Sequence, residues 1–158
     1  MAKQSRGTCE FCGKESSKGA LTRHLSSCPA RVEANAKADA GSGKPETLLH
    51  LKVQDGYGPD FWLHLEMRGS ASLKDLDRYL RAIWLECCGH LSQFSFGGWS
   101  GQEIAMSRKA EQVFTAADGQ PLTHIYDFGT ESVTQIELLG TRTGKPLTKH
   151  PIFLMARN

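Results

Sequence analysis

The chain has 158 residues, 39% hydrophobic and 23% charged, a balance ordinary for a soluble globular protein and one that excludes a disordered chain. No stretch approaches the ~20 consecutive apolar residues that span a bilayer, and the opening MAKQSRGTCE has no apolar secretion signal, so the expected compartment is the cytoplasm, with no membrane partner. Net charge is only +2, yet residues 1 to 45 hold eight Lys+Arg against four Asp+Glu while the rest hold eleven against thirteen: a basic front and a slightly acidic body.

In chain order, the first feature is the cluster Cys9, Cys12, His24 and Cys28, spaced C-x2-C-x11-H-x3-C. Five cysteines are an odd number, and a reducing cytosol keeps thiols free for metal ligation. A two-residue gap lets one tight knuckle present both thiolates. A His and a Cys four apart on a helix face the same way, so the four complete a tetrahedral shell for one structural Zn2+. A segment of ~20 residues cannot bury a core, so the metal has to hold it, with roughly 10 to 16 kcal/mol available. A filled tetrahedron leaves no position for water, which points to structure over catalysis. Residues 8–31 are therefore expected as a small finger. Residues 32–46, rich in Ala, Gly, Ser and Lys, read as a flexible linker, in which a helix runs on for a turn or two before Gly41-Ser42-Gly43.

From Thr47 the pattern turns to strands. LLHLKVQ and FWLHLEM flank the turn residues DGYGPD, which predicts a hairpin with Phe61, Leu63, Leu65 and Met67 on one face and Trp62, His64 and Glu66 on the other. SLKDLDRYLRAIWLECC is the clearest helix: Leu73, Leu76, Leu80, Ile83 and Cys87 form one stripe, Ser72 stands as N-cap with Asp75 three residues on, and Gly89 is the stop. After HLSQFSF and the loop GGWSG, a short strand is expected at QEIAM, then an ambiguous segment ending in the turn DGQP. Two strands, LTHIYDF and SVTQIELL, turn around Gly129, and the apolar run KHPIFLMARN reads as a chain that continues beyond Asn158. Residues 47–158 are thus expected as an α+β domain, a β-grasp-like hairpin, helix and strands on a mainly antiparallel sheet.

Other constellations are weaker. Cys87, Cys88 and His90 are too few for a second metal site, and neighbouring helical cysteines point about 100° apart. His64, His90, His124 and Asp127 offer an alternative, a metal- or His/Asp-dependent enzyme site around His90, His124 and Asp127. However, residues three apart in a strand face opposite ways, and Asp127 beside Gly129 suits a turn cap. Trp99 among glycines is a candidate exposed binding aromatic.

The cysteine cluster resembles a ββα zinc finger of the two-cysteine, two-histidine type whose last His is replaced by Cys. Leu21 keeps the core leucine, while Ser16 stands where that family has an aromatic residue. Counting back from His24, the base-reading positions implied by the resemblance are Ser17, Ala20 and Arg23, of which only Arg23 has bidentate reach toward guanine. One finger reads ~3 base pairs, so sequence-specific reading is disfavoured. A protein partner or nonspecific nucleic acid remains, with Lys14, Lys18, Arg23 and Trp99 as contact candidates. From about 47 to 155, the ordered motifs SLKDLDRYLRAIW, HLSQFSFGG, THIYDFG and SVTQIELLG resemble the plasmid pRiA4b ORF-3-like family. The resemblance implies a compact α+β domain associated with plasmids and mobile elements, without a settled activity. After YDFG its members commonly have acidic and aromatic residues, whereas this chain has TES. Taken together, the expected protein is a zinc-binding, non-enzymatic interaction module.

Overall fold

The computed structural model describes residues 5–58, 60–84, 91–98, 101–129 and 132–158. The chain opens with a short hairpin, β1 (Arg6–Cys9) and β2 (Glu15–Ser17), followed by helices α1 (Lys18–Leu25) and α2 (Pro29–Asp39). Next come β3 (Glu46–Asp55), β4 (Trp62–Arg68), α3 (Leu73–Ile83), β5 (Ser92–Ser95) and β6 (Glu103–Ile104). Helix α4 (Ala110–Ala117), β7 (Leu122–Tyr126), β8 (Ser132–Gly144) and β9 (Ile152–Arg157) complete it. The strands form one sheet in the order β2-β1-β9-β4-β3-β8-β7-β5-β6, with antiparallel pairing throughout. This is a mixed α/β architecture with a large antiparallel sheet.

Helix α3 forms for the reasons its sequence advertises. Ser72 accepts from the Asp75 N–H, and the Asp75 carboxylate accepts from the Ser72 N–H, a reciprocal capping box. Leu73, Leu76 and Leu80 are fully buried on its apolar stripe. The helix ends at Ile83 with Trp84 as C-cap; Cys87 and Gly89 lie outside the described residues. The ambiguous segment before DGQP is helix α4, with Ala110, Val113, Phe114 and Ala117 buried at i, i+3, i+4 and i+7. Its N-cap, Lys109, makes no side-chain cap bond, so the usual start signal is missing.

Both faces of the central strands are covered. Leu63, Leu65 and Met67 of β4 join Leu49, Leu51 and Val53 of β3 in the main core, under α3 and α4. Trp62, His64 and Glu66, on the opposite face by strand alternation, are buried as well. Phe61, expected beside Leu63, is 60% exposed, because it precedes the first residue of β4. Helices α1 and α2 cover that second face. Leu21 and Leu25 pack with Trp62, Met155 and Ala156 in a second cluster, and Arg31 of α2 reaches Glu66 at 3.8 Å.

The 32–46 segment, expected as a flexible linker, carries most of α2, which is docked on the body. Asp39 Oδ1 accepts from the Lys145 N–H at 2.8 Å, and Arg31 Nη1 donates to the Leu25 carbonyl at 2.7 Å. No residue of α2 is fully buried; Ala30 alone of its residues packs against the second cluster, so the helix leaves no apolar stripe for a sequence to reveal. No helix among the described residues is long and apolar enough to cross a membrane.

Candidate metal centre

The four donors come from three local structures. In the first, the turn after β1 is closed by Cys9 N–H to the Lys14 carbonyl at 2.9 Å and Gly13 N–H to the Cys9 carbonyl at 2.8 Å. Gly13 takes φ +77°, which a residue with a Cβ adopts only under strain. In this turn the Phe11 and Cys12 backbone N–H groups point at the Cys9 sulfur. In the second, α1 is started by Ser17, whose hydroxyl accepts from the Ala20 N–H at 3.4 Å, and it carries His24 in its last turn.

Cys28 is the third, and here the structure corrects the expectation that His24 and Cys28 share a helix. Helix α1 ends at Leu25, and Cys28 is the N-cap of α2, with Pro29 in its first turn. The proline suits that position because its missing N–H has no partner to lose there. Cys28 therefore opens a second helix rather than closing the first.

One donor atom from each of Cys9, Cys12, His24 and Cys28 lies within 4.8 Å of the others, close enough to hold one metal ion. Cys9 Sγ and Cys28 Sγ are 4.0 Å apart, and Cys12 Sγ and His24 Nε2 are 3.2 Å apart. Cys9 and Cys28 are fully buried, Cys12 is exposed and His24 half-buried, so one edge of the cluster faces solvent. Burial pushes the Cys9 thiol up to about 11, against the N–H groups of Cys12 and Phe11, while the Lys14 N–H lowers the Cys12 thiol. The neighbouring Cys28 sulfur adds to the upward push on Cys9, and a cation held between the sulfurs would offset it.

The cluster is continuous with the body. Strand β1 pairs with β9 through Thr8↔Arg157 and Cys9↔Ala156. The β4–β9 register shifts between His64↔Ala156 and Leu65↔Leu154, which leaves Met155 as the extra residue. That bulge places Met155 in the apolar cluster with Cys9 and Cys28 and frees its carbonyl to accept from the Glu10 N–H at 2.9 Å.

The other candidate residues are scattered. Lys14 and Arg23 are exposed, as are the flanks of α1 at Gly19 and Ser26, while Ser17 and Ala20 are half-buried. Lys18, expected as a contact, instead hydrogen-bonds Gln54 of β3, and burial lowers its pKa. Cys87, Cys88, His90 and Trp99 lie outside the described residues. His124 and Asp127 do not converge. Asp127 takes φ 58° and its Oδ1 accepts from the Gly129 N–H at 3.2 Å, the turn-capping geometry.

His124 is fully buried and pairs with Asp77 of α3, its Nε2 2.7 Å from Asp77 Oδ1. Asp77 also accepts from Ser92 Oγ at 2.7 Å and from Arg81 Nε at 2.9 Å. Burial works to raise the Asp77 pKa, but the hydrogen bonds of His124 and Ser92 and the Arg81 charge hold it below the usual carboxylate value. Ser92 donates to the carboxylate rather than to His124, and the buried His124 Nδ1 has no hydrogen-bond partner, so Asp77 gathers His124, Ser92 and Arg81 into a polar network left open at that nitrogen. Sequence reasoning missed Asp77, although a signal existed: it stands four residues after Leu73, on the apolar side of α3, where a carboxylate needs a partner.

His64 is tied on both sides, with Thr22 Oγ1 3.2 Å from its Nε2 and His50 Nε2 2.9 Å from its Nδ1. Burial, with the Arg31 charge, pushes His50 down to about 4, and burial, with His50 and Lys52, pushes His64 down to about 3.

Fold and site together define a mixed α/β protein whose N-terminal Cys/His cluster can hold one metal ion. No family model matches the chain, and no curated protein matches it significantly. Among solved structures it is similar to a crystal structure of a protein of unknown function from Methanosarcina mazei Go1, with a TM-score of 0.56 and 18% identity over 70% of this chain and 67% of that one. That likeness concerns the fold alone.

Proposed function

We propose that this chain is a non-enzymatic interaction module whose N-terminal part is held by a single structural zinc ion. The observation that carries the reading is the closed set of three sulfurs and one imidazole, merged with the main sheet through β1 and β9. A tetrahedral zinc with Zn–S of about 2.3 Å and Zn–N of about 2.0 Å sets S···S near ~3.8 Å and S···N near ~3.5 Å. The observed 4.0 and 3.2 Å lie near these values, and the widest separation in the set, within 4.8 Å, has to close by up to about 1 Å around the ion. Soft thiolates with one imidazole favour zinc over harder ions. All four tetrahedral positions are taken by protein, so the ion contributes folding energy and offers no site for substrate water.

The body reads as a pRiA4b ORF-3-like domain with a β-grasp-like start, supported by its motif order and by α3 following the β3–β4 pair. A mobile-element setting follows from that reading alone. The partner is a protein or nonspecific nucleic acid, and of the contact candidates Lys14 and Arg23 are exposed.

Metal analysis tests the core of the reading: one zinc per chain, lost in Cys12→Ala, is expected. A second metal that survives Cys12→Ala refutes the non-enzymatic module. For the partner, binding to a labelled DNA duplex that falls steeply with salt and weakens in Arg23→Ala selects nucleic acid. Absence of binding at low salt selects a protein.

A further inference from the structure

A cavity of about 370 Å³ lies between α2 and the sheet surface of β3, β4 and β8, and none of the four metal donors lines it. Its shape has a main-chain cause. His50 pairs with Gly140 and Leu51 with Leu138, so Leu139 is an extra residue that bends β8 away from its neighbour. Next to it, Gly140 leaves open space, with no atom within 4 Å of where a Cβ would stand.

The polar lining is built and incompletely satisfied. Glu66, 4% exposed, accepts from Arg142 Nε at 3.0 Å and Nη2 at 2.8 Å and faces Arg31 Nη2 at 3.8 Å. Two buried side-chain atoms in this wall, Arg31 Nε and Asn35 Oδ1, have no hydrogen-bond partner. Buried polar atoms without partners are uncommon in native proteins. These two are a donor and an acceptor four residues apart on α2, hence on one face of the helix, and they call for a ligand that brings both an acceptor and a donor. Two guanidiniums against one buried carboxylate leave a local excess of positive charge, offset in part by Asp39 at the rim, 3.9 Å from Arg142 and 47% exposed, and by the Cys28 and Cys9 sulfurs that act on Arg31 from the other side. The excess favours one negative charge and disfavours an added ammonium. Leu25, Leu48 and Leu139 supply an apolar wall.

We propose that this cavity binds a small monoanionic hydroxycarboxylate with an apolar tail, its carboxylate on Arg31 Nε and its hydroxyl on Asn35 Oδ1. The zinc reading is not a premise of the inference, and the probes are compared at one fixed metal content, because Arg31 lies three residues from Cys28 and feels the charges of Cys28 and Cys9.

The test uses the full chain with metal bound and follows the Arg31 Nε–H resonance by NMR. The probes are 2-hydroxy-4-methylpentanoate, its analogue 4-methylpentanoate without the hydroxyl, and L-leucine, which carries an ammonium in place of the hydroxyl. A saturable shift is expected, about tenfold weaker without the hydroxyl and weaker still with leucine. Asn35→Ala removes the difference between the first two acids. Gly140→Val fills the open space and abolishes the shift, while metal content and thermal midpoint remain those of the wild type. No saturable shift with any probe means that the cavity holds only water and overturns the proposal. Equal binding to Gly140→Val, or inorganic phosphate binding as tightly as the hydroxy acid, overturns it too.

Discussion

Replacing Gly7 with Ala tests whether the metal cluster is fastened to the body or merely adjacent to it. Gly7 has no positive φ, so its backbone accepts alanine, and the substitution isolates one close approach. A Cβ there stands 2.4 Å from Trp62 Cη2 and 2.6 Å from the Arg157 carbonyl oxygen, where ordinary contact begins at 3.4 Å. Neither neighbour yields easily. Trp62 is fully buried with its Nε1 donating to Ser5 Oγ at 2.8 Å, and the Arg157 carbonyl belongs to the strand that pairs with β1. A shift of about 1 Å at a buried joint costs about 1–3 kcal/mol, against a gain of about 0.4–1 kcal/mol from the stiffer unfolded chain. The expected result is a net loss of about 1–2 kcal/mol in urea denaturation of the metal-loaded protein, with a faster rate of metal release to a chelator. Gly140→Ala is the control. It meets nothing within 4 Å and is expected to stay within about 0.5 kcal/mol of wild type. Wild-type stability and wild-type metal release in Gly7→Ala would refute the fastening argument.

Asp77→Ala removes the acceptor shared by His124, Ser92 and Arg81 and is expected to cost about 3 kcal/mol, read as a drop in thermal midpoint. A change under about 0.5 kcal/mol would show that the network contributes nothing to folding. Stability is also expected to fall with acid. His50 and His64 lie below the ordinary 6.5, at about 4 and about 3, so from about pH 6.5 downward the unfolded chain takes up protons that the folded one refuses. The loss is at most about 1.4 kcal/mol per pH unit for each histidine. Urea midpoints at neutral and mildly acidic pH measure it, and an unchanged pH slope in His50→Asn would contradict the assignment. Finally, chelation of the metal is expected to lower the melting transition of the whole chain, since Cys9 and Cys28 share a cluster with Trp62 and Met155. A body transition unmoved by chelation would separate the two parts.

Much of this was legible in the residue order, and in each case the signal was local. The spacing of Cys9, Cys12, His24 and Cys28 is constrained by ligand geometry within twenty residues. The stripe of α3 follows from Leu73, Leu76 and Leu80, and its start from Ser72 and Asp75. The alternation of β4 separated Trp62, His64 and Glu66 from Leu63, Leu65 and Met67.

Tertiary structure alone decided what lies against those patterns. That the second face of β4 is covered depends on β1 meeting β9, a pairing between opposite ends of the chain that no local period encodes. The break between His24 and Cys28 into two helices is set by Pro29 opening α2, and α2 itself is held by Asp39, Arg31 and their distant partners rather than by an apolar stripe. The partner of His124 was Asp77, 47 positions away, instead of Asp127 nearby. Short-range chemistry fixes ligands, caps and stripes because a few bonds dictate their geometry. Which faces meet is settled only by packing, since apolar burial is non-directional and any pattern of the right period satisfies it.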